Sequence, residues 1–389
     1  HGGPETGLTF MSTETLGVYI HIPFCRAKCG YCAFVSRPGS REEQQQYVAA
    51  LCREISAAGG DFAVPVDTVF FGGGTPTVLS VSELIAILDT LRSRFAVTAT
   101  AEISLEANPG TVDEQALAHL HQAGFNRLSF GVQSFDDRVL RDIGRIHRAD
   151  EARQVAEASR AAGFDNLSLD LMFGLPGQTI DSWRETLHRA VELGPDHISA
   201  YGLKLEEGTT LAAQVAAGQA ILPDEAAEEA MYDYLNAYLP RQGFHRYEIS
   251  NYARAGKECR HNLKYWRYRP YRGFGVAAHS FDGNARFANT EDVSSYCSRQ
   301  LAGQSAETFR ETLPRPDRLA EYVFLALRTT EGLLAGDFQE RFGQNFDDIY
   351  AGPVAELIRD GLLIRERDGW RLTEKGFKLS NQAYVKFLP

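Results

Sequence analysis

The chain has 389 residues, 44% hydrophobic and 23% charged, with 40 Lys and Arg against 51 Asp and Glu and a formal net charge of −11. That balance argues against a general nucleic-acid binder, which carries a basic surplus. No stretch approaches the ~20 apolar residues of a membrane-spanning helix, and the length suffices for one large α/β domain plus a smaller one.

Residues 1–10, His1 to Phe10, read as a non-native remnant ahead of a natural start at Met11 and are set aside. Six apolar or β-rich runs follow: Leu16–Ile22, Thr68–Phe71, Glu102–Ala107, Arg127–Val132, Asn166–Phe173 and His197–Leu205. Helical patterns separate them. Tyr47, Leu51 and Ile55 recur every fourth residue, and Leu84, Leu88, Leu91 and Phe95 form a second stripe. Ser80 with Glu83 and Thr111 with Glu114 have capping-box form, which predicts helix starts there. Strand–helix alternation at this interval predicts parallel βαβ units. Six are too few for a closed eightfold barrel, so the expected class is α/β, an open (β/α)6 partial barrel over residues 11–240.

A connecting region, 241–314, ends at Pro314-Arg315-Pro316. Beyond it, Leu319–Leu327 and Val354–Asp360 are helical in pattern. Gly361–Ile364 and Asp368–Leu372 then predict a hairpin with an Asp368-Gly369 turn. Residues 315–389 hold 11 Lys and Arg against 12 Asp and Glu, so this small domain is not an electrostatic DNA reader.

Polar and glycine residues gather where the predicted strands end, which in parallel barrels is where ligand sites are built. Strand one runs into a cysteine loop, strand two into Gly72–Thr77, and strand three into Glu106-Ala107-Asn108-Pro109. Strand four ends in Gly131-Val132-Gln133-Ser134, strand five carries Asp170, and strand six contains Tyr201-Gly202. Buried Glu106, Gln133 and Asp170 are costly without polar partners. Taken singly, the glycine triplet fits a tight turn as well as a ligand loop, Glu106 and Asp170 fit a structural role as well as a binding one, and Arg145 reads as a surface charge. Together they point to one ligand site.

The cysteine loop is Cys25-x3-Cys29-x2-Cys32. Three thiols in eight residues can hold three corners of a cubane iron–sulfur cluster, whose full complement is four thiolates. A structural zinc site wants four ligands, commonly as paired cysteines, and no second pair exists. A disulfide framework belongs to small secreted domains, whereas no signal peptide is read here and Cys52, Cys259 and Cys297 lie scattered. A reducing cytoplasm is the expected location.

The cysteine spacing resembles that of the radical S-adenosylmethionine (SAM) superfamily. The resemblance implies a [4Fe–4S] cluster on Cys25, Cys29 and Cys32, whose open iron chelates SAM and reduces it to a 5′-deoxyadenosyl radical. It also implies the partial-barrel fold. Val18–Cys25, Gly72–Thr77, Gly131–Phe135 and Asp170–Gly177 narrow the resemblance to the HemN-like subfamily, whose C-terminal domain is small and winged-helix-like. By position, the subfamily places Tyr19 and Tyr31 beside the cluster and gives Gly73, Gly74 and Thr75 to the methionine end by backbone contacts. Glu106, Gln133, Arg145 and Asp170 would fix the methionine and ribose ends, and Gly202 would pass the adenine.

The subfamily's coproporphyrinogen dehydrogenases carry a further cysteine where this chain has Phe34, and a longer segment before the cluster loop. Both departures favour its heme-chaperone branch over a catalytic role. His261-Asn262-Leu263-Lys264-Tyr265-Trp266 matches the H-N-x-x-Y-W motif of that branch. An imidazole nitrogen is a common axial ligand of heme iron. Arg260, Lys264, Arg267, Arg269 and Arg272 interleave there with Tyr265, Trp266, Tyr268 and Tyr271, a mixture suited to a flat porphyrin with propionates. The blander reading makes His261 a hydrogen-bonded structural histidine and the arginines a solvated face. The resemblance implies heme as a ligand and an acceptor hemoprotein as partner, a respiratory one among the candidates, with peripheral rather than transmembrane contact to a membrane. The alternative within the subfamily is catalytic: a methyltransferase or cyclopropanase, or a coproporphyrinogen III dehydrogenase.

Overall fold

Strand and helix alternate through the first half of the chain. The computed structural model describes residues 15–58, 64–366 and 368–389, so the expected remnant and the start at Met11 lie outside the described residues. In chain order the elements are β1 (Leu16–Ile22), α1 (Arg41–Ala57), β2 (Val66–Gly73), α2 (Val81–Arg94), β3 (Val97–Ala107), α3 (Glu114–Gln122), β4 (Arg127–Gln133), α4 (Asp137–Asp142), α5 (Ala149–Ala161), β5 (Leu167–Phe173), α6 (Ile180–Glu192) and β6 (His197–Gly202). Then come α7 (Thr210–Ala216), α8 (Glu225–Arg241), β7 (His245–Arg246), β8 (Asn251–Ala253), α9 (Arg260–Trp266), β9 (Tyr271–Phe274), β10 (His279–Phe281), β11 (Ala285–Asn289), α10 (Val293–Leu301) and β12 (Glu307–Thr312). The last part holds α11 (Arg315–Leu327), β13 (Leu333–Leu334), α12 (Ala335–Phe342), α13 (Phe346–Arg359), β14 (Leu363–Glu366) and β15 (Gly369–Leu372).

The chain forms two units. The first takes the described parts of residues 1–28, 34–128 and 269–312. Its strands run in the order β12-β11-β10-β9-β1-β2-β3. β1 pairs in parallel with β2 and with β9, and β2 in parallel with β3, while β9 to β12 pair antiparallel. The inward side chains Val18, Ile20, Val69 and Leu105 are fully buried, as are Tyr47, Leu51 and Ile55 on α1 and Leu88 and Leu91 on α2. Each such side chain contributes about 1.5–3 kcal/mol when taken fully out of water.

The second unit takes residues 29–33, 129–268 and 313–389. Its strands follow the order β4-β5-β6-β8-β7, with β5 and β6 parallel, and a separate sheet β13-β15-β14. Leu169, Leu171, Trp183 and Leu187 are fully buried, as are Phe338, Phe346, Leu357 and Leu372 nearer the C-terminus. Among the described residues no helix is long and apolar enough to cross a membrane.

Ser80 and Glu83 form the predicted capping box at α2. Several expectations change. Thr111 does not cap α3; Asp113 does, through Ala116 N, while Thr111 Oγ1 donates to Asn108 O at 2.6 Å. β3 starts at Val97 because Val97 pairs with Val66 across a register shift before Glu102 meets Thr68. β6 stops at Gly202, the last residue with a partner on β5, not at Leu205. Gly369 is the first residue of β15, opposite Glu366, so it lies outside the hairpin turn; a Cβ there would come 2.1 Å from Leu333 O. The strands β7 to β12 lie in the region 241–314, for which the sequence predicted a heme motif and a connection but no strands.

Candidate functional site

The glycine run at the end of β2 is tied to the strand beside it. Gly74 N donates to Ile22 O at 2.8 Å and Thr75 N to Phe24 O at 2.7 Å. A Cβ on Gly74 would lie 2.6 Å from Phe24 O, so the approach requires glycine. Gly73, at φ +109°, donates its N–H to Glu106 Oε2 at 3.2 Å. Thr75 Oγ1 donates to Cys25 Sγ at 3.5 Å and accepts from Asn108 Nδ2 at 2.8 Å. The sequence placed Asn108 at a strand end without giving it this role.

Tyr19 faces the same way as His21, two residues on. Their Tyr19 Oη and His21 Nδ1 atoms lie 3.1 Å apart, and His21 Nε2 is 2.9 Å from Val35 O. The Val35 carbonyl can only accept, so Nε2 carries the proton and Nδ1 accepts from the phenol. Burial lowers the His21 pKa against the opposing bond to Val35 and keeps the ring neutral. Burial and then the Glu106 charge raise the Tyr19 phenol far above its ordinary value, so it remains a donor.

The second unit carries the other predicted residues. The segment Cys29–Ala33 docks through Gly30, whose N–H donates to Ile143 O at 3.1 Å and whose carbonyl accepts from Leu211 N at 2.8 Å. Tyr31 packs on Val139, Ile143, Met172 and Leu175. Burial raises its pKa, opposed by Arg145. Arg145 donates to Cys29 Sγ at 3.5 Å through Nη1 and to Gly131 O through Nη2. It is therefore directed at the cluster loop rather than at solvent. Asp170 accepts from Ser129 Oγ at 3.1 Å on both carboxylate oxygens. Ser129, Gly131 and Gln133 share one face of β4, a parity that would have flagged Ser129 in the sequence.

Gln133 is buried and sits at φ 66°, a left-handed conformation that costs a non-glycine residue about 1–2 kcal/mol. The preceding carbonyl, Val132 O, is held by Ser134 N at 2.8 Å and by His147 Nε2 at 3.2 Å. Burial, then the Arg145 charge, lowers the His147 pKa to about 4. His147 is thus a neutral strut under Gln133, another residue the sequence left without a role. Gly202 is exposed at the end of β6, where an added Cβ would lie 3.1 Å from the Phe173 ring.

The three cysteines of the loop are partly exposed, and none of the chain's six cysteines is in a disulfide. Among the described residues no three His, Cys, Asp or Glu side chains converge as ligands of one ion. The thiolates of a cubane bind different irons and need not converge. Donors aimed at Cys25 and Cys29 fit thiolate ligands, because hydrogen bonds to sulfur stabilise the anion and tune a cluster's potential.

The helix α9 spans the H-N-x-x-Y-W run. His261 is 1% exposed, and its Nε2 lies 2.8 Å from Tyr265 Oη, with the two rings edge-on at 5.1 Å. Trp266 lies under the Arg328 guanidinium at 4.3 Å, and Tyr268 packs edge-on against Tyr322 at 5.9 Å. Arg267 pairs with Glu331 at 3.0 Å. In the first unit, Arg272 lies over Phe274 at 5.3 Å and over Phe287 at 4.8 Å. The aromatic faces of the interleaved stretch are therefore largely spent on packing.

A family model described as the radical SAM superfamily matches residues 19–190, and one described as the HemN C-terminal domain matches residues 313–379. Coproporphyrinogen III oxidase (HemN) from Escherichia coli is similar in structure, with a TM-score of 0.84 and 28% identity over 96% of this chain and 90% of that one. Fold and family models together define a radical SAM protein: α/β, a partial (β/α)6 barrel with a small C-terminal domain, for which SAM and a [4Fe–4S] cluster are the implied cofactors. The protein named heme chaperone HemW in Bacillus subtilis is 36% identical over 95% of this chain and 98% of its own length. Its namesake in Mycobacterium tuberculosis H37Rv is 37% identical over 98% and 97%. The chain belongs to the HemW family.

Proposed function

We propose that this chain is a cytoplasmic heme chaperone that carries a SAM-chelating [4Fe–4S] cluster and passes heme to an acceptor hemoprotein. The observation that carries the reading is the likeness to proteins named heme chaperone along 95% of the chain, with the His261 motif present as helix α9. Cys25, Cys29 and Cys32 would hold the cluster, which with SAM supplies one-electron chemistry when bound. Around it, Tyr19 and Tyr31 would exclude water. Carbonyls of Gly73, Gly74 and Thr75, with Glu106, suit the methionine ammonium. Arg145 suits a carboxylate, and Asp170, oriented by Ser129, suits a ribose diol. Gln133 would add a polar contact to the ribose, and Gly202 would leave space for the adenine. The proposed division is a core over residues 11–240, a heme-motif region over 241–314 and a C-terminal domain over 315–389.

Toward heme the fit is incomplete. His261, the proposed ligand, is almost wholly buried and its Nε2 is engaged by Tyr265, so this conformation does not present Nε2 to iron. The reading is tested by titrating hemin into anaerobically reconstituted protein. Wild type should develop a Soret band that saturates, and His261→Ala should bind at least tenfold more weakly. Absence of uptake, or equal uptake by both proteins, would overturn it. The likeness to coproporphyrinogen III oxidase favours a catalytic role as the second reading. Release of 5′-deoxyadenosine that depends on an added substrate would establish that alternative.

A further inference from the structure

His261 is sealed by a contact within its own helix. Tyr265 lies four residues on, one turn of α9, which places the two side chains on one face. The 2.8 Å separation of His261 Nε2 and Tyr265 Oη is a full hydrogen bond. Its direction depends on the tautomer, but the consequence does not. Either Nε2 accepts the phenolic proton or Nε2 itself carries a proton. In both states its lone pair is unavailable to a metal.

The helix that bears this pair is fixed at both ends. At the N-terminal end, Cys259 N donates to Tyr247 Oη at 3.3 Å. Tyr247 Oη lies 2.8 Å from His197 Nε2, and His197 Nδ1 lies 2.8 Å from Ser168 Oγ. That chain of bonds runs into the paired strands β5 and β6. At the other end, the Arg328 guanidinium covers Trp266, and its Nε donates at 3.1 Å to Glu248 Oε2, a fully buried carboxylate. Tyr247 and Glu248 are adjacent, so one short segment clamps the two ends of α9. With the backbone so held, presentation of His261 requires its side chain to turn out of the Tyr265 bond rather than the helix to unwind.

We propose that the Tyr265 hydroxyl is a latch that competes with heme iron for His261, holding the ligand closed in the heme-free protein. The proposal rests on the reading of His261 as the heme ligand. Opening the latch breaks the Oη–Nε2 bond; where Nε2 was the acceptor this frees its lone pair for the iron, and where Nε2 was the donor its proton must also move to Nδ1 before the lone pair is free. No electrons are transferred. Because a closed fraction lowers apparent affinity in proportion, removal of the hydroxyl raises it.

The test is Tyr265→Phe, which keeps the ring packed edge-on and deletes only the hydroxyl. Hemin titration should give about fivefold to tenfold tighter apparent binding, the scale of one net hydrogen bond. In heme-free protein, His261 should be modified faster by diethyl pyrocarbonate, read by mass spectrometry of its peptide. Unchanged or weaker heme binding, or an unchanged modification rate, would overturn the latch. His261→Ala, run in parallel, separates the two ideas. If that variant loses heme while Tyr265→Phe behaves as wild type, only the latch is wrong. If His261→Ala binds heme as wild type does, the ligand assignment fails and the latch with it.

Discussion

Substitution of Gly74 by alanine probes a close backbone approach in the candidate site. The new Cβ would stand 2.6 Å from Phe24 O and 3.0 Å from Ile22 O, and both obstacles are backbone atoms that cannot swing aside. Relief requires the loop to lift from β1. Lifting weakens Gly74 N to Ile22 O and Thr75 N to Phe24 O, each worth about 1 kcal/mol net. Residual crowding adds about 1–3 kcal/mol, for a total of about 3–5 kcal/mol. The same movement carries Thr75 Oγ1 away from Cys25 Sγ, 3.5 Å distant, so cluster retention should fall as well as stability. Urea denaturation of the cluster-free protein, with iron and acid-labile sulfide per chain after reconstitution, measures both effects. Gly177→Ala is the control. Gly177 has φ +67° but nothing within 4 Å of an added Cβ, so it should cost only about 1–2 kcal/mol and leave loading intact. A Gly74→Ala protein within about 1 kcal/mol of wild type and fully loaded would refute the reasoning, since overpacking alone should exceed that.

His147 should give the protein a pH-dependent stability. Its folded pKa of about 4 lies below the ordinary 6.5, so between those values the unfolded chain takes up a proton that the folded chain refuses. Stability is therefore complete above about pH 6.5 and falls by up to about 3 kcal/mol as pH drops to about 4. His147→Gln retains a donor for Val132 O and should flatten that slope in urea midpoints taken across the range. Parallel slopes for the two proteins would show that His147 is not the group responsible. Ser129→Ala removes the bifurcated hydrogen bond to Asp170 and should weaken SAM binding to the reconstituted protein about tenfold by calorimetry, with melting temperature nearly unchanged. Unaltered SAM affinity would mean that Asp170 is oriented by other contacts or does not meet the ligand.

The strands that run to the site were legible because their inward residues are apolar on one side and functional at the C-terminal end. β1 matches its expected bounds, and β4 and β5 differ by one residue. The beginning of β3 was hidden by Thr98 and Thr100, whose alternation with exposed Ala99 carries no apolar stripe; pairing with β2, not local preference, makes that stretch a strand. The strands β9 to β12 escaped for a related reason. Tyr271–Phe274 joins β1 in parallel, a partner some 250 residues away in sequence, and no local pattern announces such a pairing.

In the candidate site, a second kind of information was missing. The cysteines, the glycine run and the strand-end carboxylates stand out because few other purposes need those residues at those positions. Asn108, Ser129 and His147 are ordinary residues whose role exists only through a partner: Thr75, Asp170 and the carbonyl before Gln133. Ser129 follows from strand parity once the register is known, whereas Asn108 lies just past the end of β3. His147 does not follow from parity either, because it comes from the loop between α4 and α5. His261 shows the opposite case. The motif names a histidine suited to iron, yet the next turn of the same helix supplies a tyrosine that occupies its nitrogen. If the motif served only to expose a ligand, a hydroxyl 2.8 Å from that nitrogen on a 1% exposed histidine would be a cost without a return. On the proposed heme-carrier reading the contact has a use, because the closed state offers the imidazole a partner when heme leaves.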